Sequence, residues 1–161
     1  MTKMPDQNEF GDTATANVAP QNGSDTAHIW RSKLIDKFAQ CERELRLIYG
    51  AETSVYVPLK QLAITISKRI ASASHPAKQN VKLDGLITQL LPLIELRGEI
   101  AHAQLMEPDG LEARDVLLAP VVGHSQYYSK IIYITSEQRR EAYSTISRIA
   151  NQLQQRRLSL A

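Results

Sequence analysis

Two side chains near the middle of the sequence carry chemistry at neutral pH without help from a cofactor. Arg97 and His102 are separated by four residues in the segment LIELRGEIAHAQL, residues 93–105. A histidine titrates close to neutrality and can accept or return a proton. An arginine stays charged and offers a planar fork of donors to an anion. Spacing alone does not single the pair out, because Arg69 and His75 form another pair with five residues between them. Glu95 and Glu99 flank the pair at i, i+4 and are candidates to orient it, or are simply solvated; Gly98 lies directly after the arginine.

Other chemistries leave no trace in the sequence. There is no glycine-rich phosphate loop, no Gly-x-Ser-x-Gly turn, no His-Glu-x-x-His and no cysteine-pair zinc pattern. The histidines, at 28, 75, 102 and 124, are scattered without the i, i+4 spacing that grips a metal on a helix. No metal or other cofactor is expected. Cys41 is the only cysteine, so no intrachain disulfide forms and a reducing, cytoplasmic compartment is expected. Its place on a helical apolar stripe predicts packing rather than nucleophilic chemistry.

The pair needs a scaffold, and hydrophobic periodicity supplies an all-α one. Residues 1–24 are polar, carry a net charge of −2 and contain almost no large apolar side chains, which predicts a disordered tail ahead of a helical domain at 25–161. Trp30, Leu34, Phe38, Cys41, Leu45 and Ile48 form one stripe of a first helix from about Asp25 to Tyr49, with Gly50 as its stop. Lys33, Lys37 and Glu44 are placed on its solvated side. A second helix starts at Pro58, where proline suits a first turn, and ends before Pro76; Leu62, Ile66, Arg69 and Ile70 mark its faces.

The third helix is expected over about 81–104, with Leu83, Leu86, Leu90, Leu93, Leu96 or Arg97, and Ile100 facing inward. Pro92 removes one backbone hydrogen bond and should kink it. Being apolar on most sides, this helix is expected to be the most buried element or one face of a subunit interface. A Pro-Asp-Gly turn at 108–110 follows. Extended stretches at 115–122 and 127–135 predict a small β-hairpin, and Thr135 with Gln138 has capping-box spacing for a last helix reaching about Arg157. The expected architecture is a four- to five-helix up-down bundle with a hairpin before its last helix.

The segment Leu96-Arg97-Gly98-Glu99-Ile100-Ala101-His102 resembles the signature of the HEPN superfamily, often written Leu-Arg-Asn-x-x-Ala-His near the end of a core helix. The likeness is strong over about ten residues, and the order of elements follows it loosely from 25 to 157. It implies a homodimer whose two motifs face each other, acting as a metal-independent endoribonuclease in a bacterial or phage defence or toxin–antitoxin system. It also implies an antitoxin or other protein partner, or a non-catalytic module that binds RNA or protein through the same cleft. On that resemblance His102 moves a proton at a ribose 2′-hydroxyl or leaving oxygen, and Arg97 braces the phosphate. The products would end in a 2′,3′-cyclic phosphate and a 5′-hydroxyl.

Positions five apart on a helix diverge by about 140°, so a single ideal helix does not set the two side chains together; a second copy would supply the missing half. Catalytic members usually carry a polar residue after the arginine, where this chain has Gly98. A purely structural reading has Arg97 reach from the core edge to Glu42 or Glu44 while His102 caps its helix.

The net charge of +2 does not announce a nucleic-acid binder, but five arginines fall between 139 and 157. Arg139, Arg140 and Arg148 are candidates for contacting RNA or an acidic partner; a solvated helix face explains the same residues. No apolar run approaches the ~18 residues that would span a bilayer, so no membrane partner is expected.

Overall fold

A computed structural model of the chain describes residues 23–50, 56–106, 116–119 and 131–160. Four helices and three short strands follow in order: α1 (Gly23–Tyr49), α2 (Leu59–Ala71), α3 (Lys78–His102), β1 (Gln104–Met106), β2 (Val116–Ala119), β3 (Ile132–Ile134) and α4 (Ser136–Leu158). Most of the expected polar tail, the 108–110 turn and the hairpin turn with His124 lie outside the described residues.

The first helix buries the stripe that its spacing dictates: Trp30, Leu34, Phe38, Cys41 and Leu45, extended by Ala27. Gly50 ends it with φ of 70°, a left-handed conformation that costs glycine least. Glu44 does not sit on the solvated side. It is 2% exposed, because α4 covers that flank of the stripe and brings Arg157 to its carboxylate. In α2 the buried residues are Leu59, Leu62, Ala63, Ile66 and Ile70, while Arg69 lies outside with its guanidinium 4.4 Å from the Tyr49 ring centre.

The third helix buries Leu83, Leu90 and Ile100 as expected, but the rest of its inward face differs. Leu83, Ile87, Leu90 and Ile94 are buried at 4-3-4 spacing, whereas Leu86, Leu93 and Leu96 are only partly covered. With apolar residues on most sides, periodicity left the face ambiguous; packing of α2 and α4 on two flanks selects it. α3 runs through Pro92 as one helix and stops two residues early, at His102, because Ala103 turns extended (φ −81°, ψ 151°). It is not the most buried element: the deepest packing lies between α1 and α4, where Phe38, Cys41, Ile146, Ile149 and Leu153 are almost wholly excluded from water. Each such large side chain contributes on the order of 1.5–3 kcal/mol.

Long-range bonds fix the helix directions. Trp30 and Glu44 of α1 meet Arg139 and Arg157 of α4, so these helices run parallel. Gln79 and Gln89 of α3 meet Arg156 and Arg148, so α3 runs against α4. Strict up-down alternation would set α1 against α4, and it is not followed. The chain reverses between α3 and α4 through the sheet.

That sheet is a three-stranded antiparallel meander, β1-β2-β3, in which Gln104 pairs with Ala119 and Val116 with Ile134. The expected hairpin is β2–β3, with shorter strands; β1 adds a third strand where the helix was expected to continue. Entry into α4 follows the sequence pattern closely. The Thr135 hydroxyl accepts the Gln138 amide hydrogen at 3.1 Å, and the Gln138 side chain accepts that of Thr135 at 2.9 Å. No described helix is long and apolar enough to cross a membrane.

Candidate active site

The last two turns of α3 carry both residues of the pair. Arg97 is half-buried and lines a cavity of about 290 Å³ closed by α1, the start of α2 and α3. Glu42, Glu95 and Glu99 line the same cavity, together with Lys60, Tyr56 and Gly98. Two of the three carboxylates have other partners: Glu42 bonds Arg46 at 2.7 Å, and Glu95 pairs with Lys60. The third, Glu99, has its pKa raised, first by burial and then by the charge of Glu95.

No ion pair or hydrogen bond engages Arg97 among the described residues, and its Nε is buried without a partner. The structural reading of this arginine is therefore not realised. Glu42 is taken by Arg46, and Glu44 is held by Arg157.

His102 is the last residue of α3 and is exposed. Arg31 of α1 caps this helix end. Its guanidinium donates to the carbonyl of Ala101 at 2.8 Å and to that of Ala103 at 3.2 Å, straddling His102. Such a fork satisfies carbonyls that a terminating helix leaves open and places positive charge at the negative end of its dipole. Arg31 thereby fixes the backbone on both sides of the histidine.

Within one copy the pair is not brought together. Arg97 faces the α1–α2 side, His102 follows about 140° further around the axis, and His102 is not among the residues lining the Arg97 cavity. One chain thus presents the two side chains on different sides of α3. Among the described residues no group of three or more His, Cys, Asp or Glu could hold a metal.

The arginines expected to contact RNA do not form one patch. Arg139 is only 5% exposed, with its guanidinium 5.7 Å from the Trp30 ring centre and its carbonyl accepting the indole hydrogen at 2.9 Å. It belongs to the α1–α4 junction first and to the surface second. Arg140 is exposed beside it, and both line a cleft with Lys33. Arg148 lies about 12 Å further along α4, donating to Gln89 of α3. Arg156, one of the five arginines of the basic C-terminal segment, joins Arg148 in its groove together with Lys82. Neither Lys82 nor Arg31 carried a sequence signal. The partners of Arg156 and Arg31 lie about 70 or more residues away in the chain, beyond any local pattern.

A comparison of the chain with protein-family models, curated proteins and solved structures finds no match.

Proposed function

We propose that the chain is a HEPN-like domain that cleaves RNA without a metal, through a cleft built from two copies. One observation carries the reading: Arg97 stands at a cavity with no ion pair or hydrogen bond, although three carboxylates line that cavity. Two of those carboxylates are held by Arg46 and Lys60, which leaves the Arg97 fork for an anion. In the reaction His102 takes the proton of a ribose 2′-hydroxyl as the 2′-oxygen attacks phosphorus. The phosphorus–5′-oxygen bond breaks, and the 5′-oxygen leaves with the proton that His102 took from the 2′-hydroxyl, returned directly or through water. Arg97 stabilises the charge that builds on the phosphoryl oxygens. The second copy supplies the geometry that the 140° offset denies to one helix. In a defence or toxin–antitoxin setting, a protein partner would act by covering this cleft.

A second reading, a non-catalytic module that binds RNA or a protein partner through the same face, is favoured by Gly98. That glycine offers no polar side chain to hold the pair. One experiment separates the two: mixed RNA incubated in EDTA with the wild type, Arg97→Ala and His102→Ala, alongside light scattering. The enzyme reading expects a dimer, cleavage in EDTA to 2′,3′-cyclic phosphate and 5′-hydroxyl ends, and loss of cleavage in both variants. A strict monomer, a magnesium requirement, or cleavage that survives both substitutions overturns it. RNA bound but left intact selects the second reading.

A further inference from the structure

On the opposite flank of α3 from the Arg97 cavity's partners α1 and α2, a groove of about 570 Å³ runs between the first half of α3 and the second half of α4. Among the described residues three cations line it, Lys82, Arg148 and Arg156, and no carboxylate does. The nearest acid on α3, Asp84, is turned toward α2, where it accepts the Ser67 hydroxyl at 2.5 Å.

The arginines are anchored by neutral oxygens. Arg148 donates to Gln89 at 2.5 Å and to Gln152 at 3.2 Å; Arg156 donates to Gln79 at 2.7 Å and to Asn80 at 3.3 Å. Amide partners orient a guanidinium without cancelling its charge. The Nε of Arg156 is buried and lacks a partner, leaving one more donor on the same group. The two arginines are eight residues apart on α4, a rise of about 12 Å, so positive charge extends along the groove rather than collecting at a point.

From this charge pattern we infer that the α3–α4 groove binds the phosphodiester backbone of single-stranded RNA. A row of spaced, uncompensated cations in a narrow trough tracks a strand's phosphates. Glutamine amides beside them both donate and accept, which suits phosphate oxygens, base edges and 2′-hydroxyls. Among the described residues no aromatic side chain lines the groove, so binding there is electrostatic and tolerant of base sequence. The inference deepens the proposed function by giving the substrate strand a path on the helix that carries Arg97 and His102. It rests on that reading for the choice of polyanion.

The test is fluorescence anisotropy of a labelled uridine 20-mer, titrated at several salt concentrations in a His102→Ala background so that the RNA stays intact. Single strands lose about 0.7 in the slope of log affinity against log salt per phosphate neutralised, so three cations give a slope near −2, or about a 20-fold loss from 50 to 200 mM salt. Replacing Lys82, Arg148 and Arg156 together by Gln should abolish this component. Lys82→Gln with Arg148→Gln, which spares the Arg156 bonds, should reduce the slope to about −0.7; circular dichroism checks that both variants fold.

Unchanged affinity and slope in folded variants overturn the inference, as does a wild type that fails to bind at low salt. Polyglutamate of equal length competing as well as RNA would overturn it in favour of an acidic protein partner. If groove variants lose binding while the wild type never cleaves, the groove stands and the nuclease reading falls. If the protein cleaves RNA while groove variants bind unchanged, only the groove falls.

Discussion

The ion pair between Glu44 and Arg157 offers the sharpest test of how α1 and α4 are held together. The Glu44 side chain is 3% exposed and its partner 28%, and Arg157 Nε is the donor that Glu44 meets. Replacing Arg157 by Met removes that donor and leaves a carboxylate at the core edge beside Cys41 and Leu45. Breaking a fully buried pair from one side costs about 3–5 kcal/mol. The part-exposed arginine leaves a route for water, which moves the expected cost to about 3 kcal/mol.

Replacing Glu44 by Met instead leaves a guanidinium that can turn outward on its flexible stem, at a cost nearer 1 kcal/mol. With both replaced by Met, neither desolvation penalty survives and stability should return to within about 1 kcal/mol of wild type or exceed it. In a domain of this size 1 kcal/mol moves the midpoint by about 3–4 °C, so Arg157→Met should melt about 10 °C early. Thermal and urea unfolding of the four proteins closes the cycle. An Arg157→Met variant as stable as wild type, or a double variant no better than Arg157→Met, would refute the argument.

Arg31→Met removes the fork on the Ala101 and Ala103 carbonyls; it should cost about 1–2 kcal/mol and raise amide hydrogen exchange in the last turn of α3, and unchanged exchange there would sink the capping role. Glu99 has a raised pKa from burial and the Glu95 charge, so its contribution favours the fold in acid and is lost as pH rises through the folded-state value. Glu99→Gln should therefore raise the melting temperature at pH 7–8 and leave it unchanged well below the ordinary carboxylate range; the opposite dependence, followed by calorimetry against pH, contradicts the assignment. Burial pushes the Cys41 thiol up to about 12. The native protein should ignore a thiol reagent at pH 8 and react only in denaturant, and rapid native labelling would show that the α1–α4 seam opens.

What could be read from the sequence, and what could not, divides along the range of the interactions. Helix stripes and caps are local. Trp30 to Leu45 repeats at a helical period, and Thr135 and Gln138 are three residues apart, so both were legible in the letters. The inward face of α3 was not, since Leu86 and Leu93 match the period as well as Ile87 and Ile94 do, and only neighbours from elsewhere in the chain distinguish them. Glu44 looked solvated because its partner stands 113 residues away. β1 was invisible because Gln104, Leu105 and Met106 form a strand by pairing with β2, without strong strand propensity of their own. The Arg97–His102 pair was legible as a motif. That Arg97 would keep clear of Glu42 and Glu44, and that Arg31 would straddle His102, depended on packing that no local spacing encodes.

The parallel docking of α4 on α1 has a consequence for how the protein comes into being. The Trp30–Arg139 and Glu44–Arg157 bonds bridge 109 and 113 residues, so the deepest part of the core closes one of the longest loops the chain offers. Loop closure comes before the contacts that reward it, which sets folding slower than in a bundle whose successive helices simply fold back on each other. On the ribosome, the apolar stripe from Trp30 to Leu45 emerges first and stays uncovered until Ile146, Ile149 and Leu153 have been made. Until α4 is made the nascent chain carries an uncovered part of its core, and its need for chaperones should fall only when α4 clears the exit tunnel.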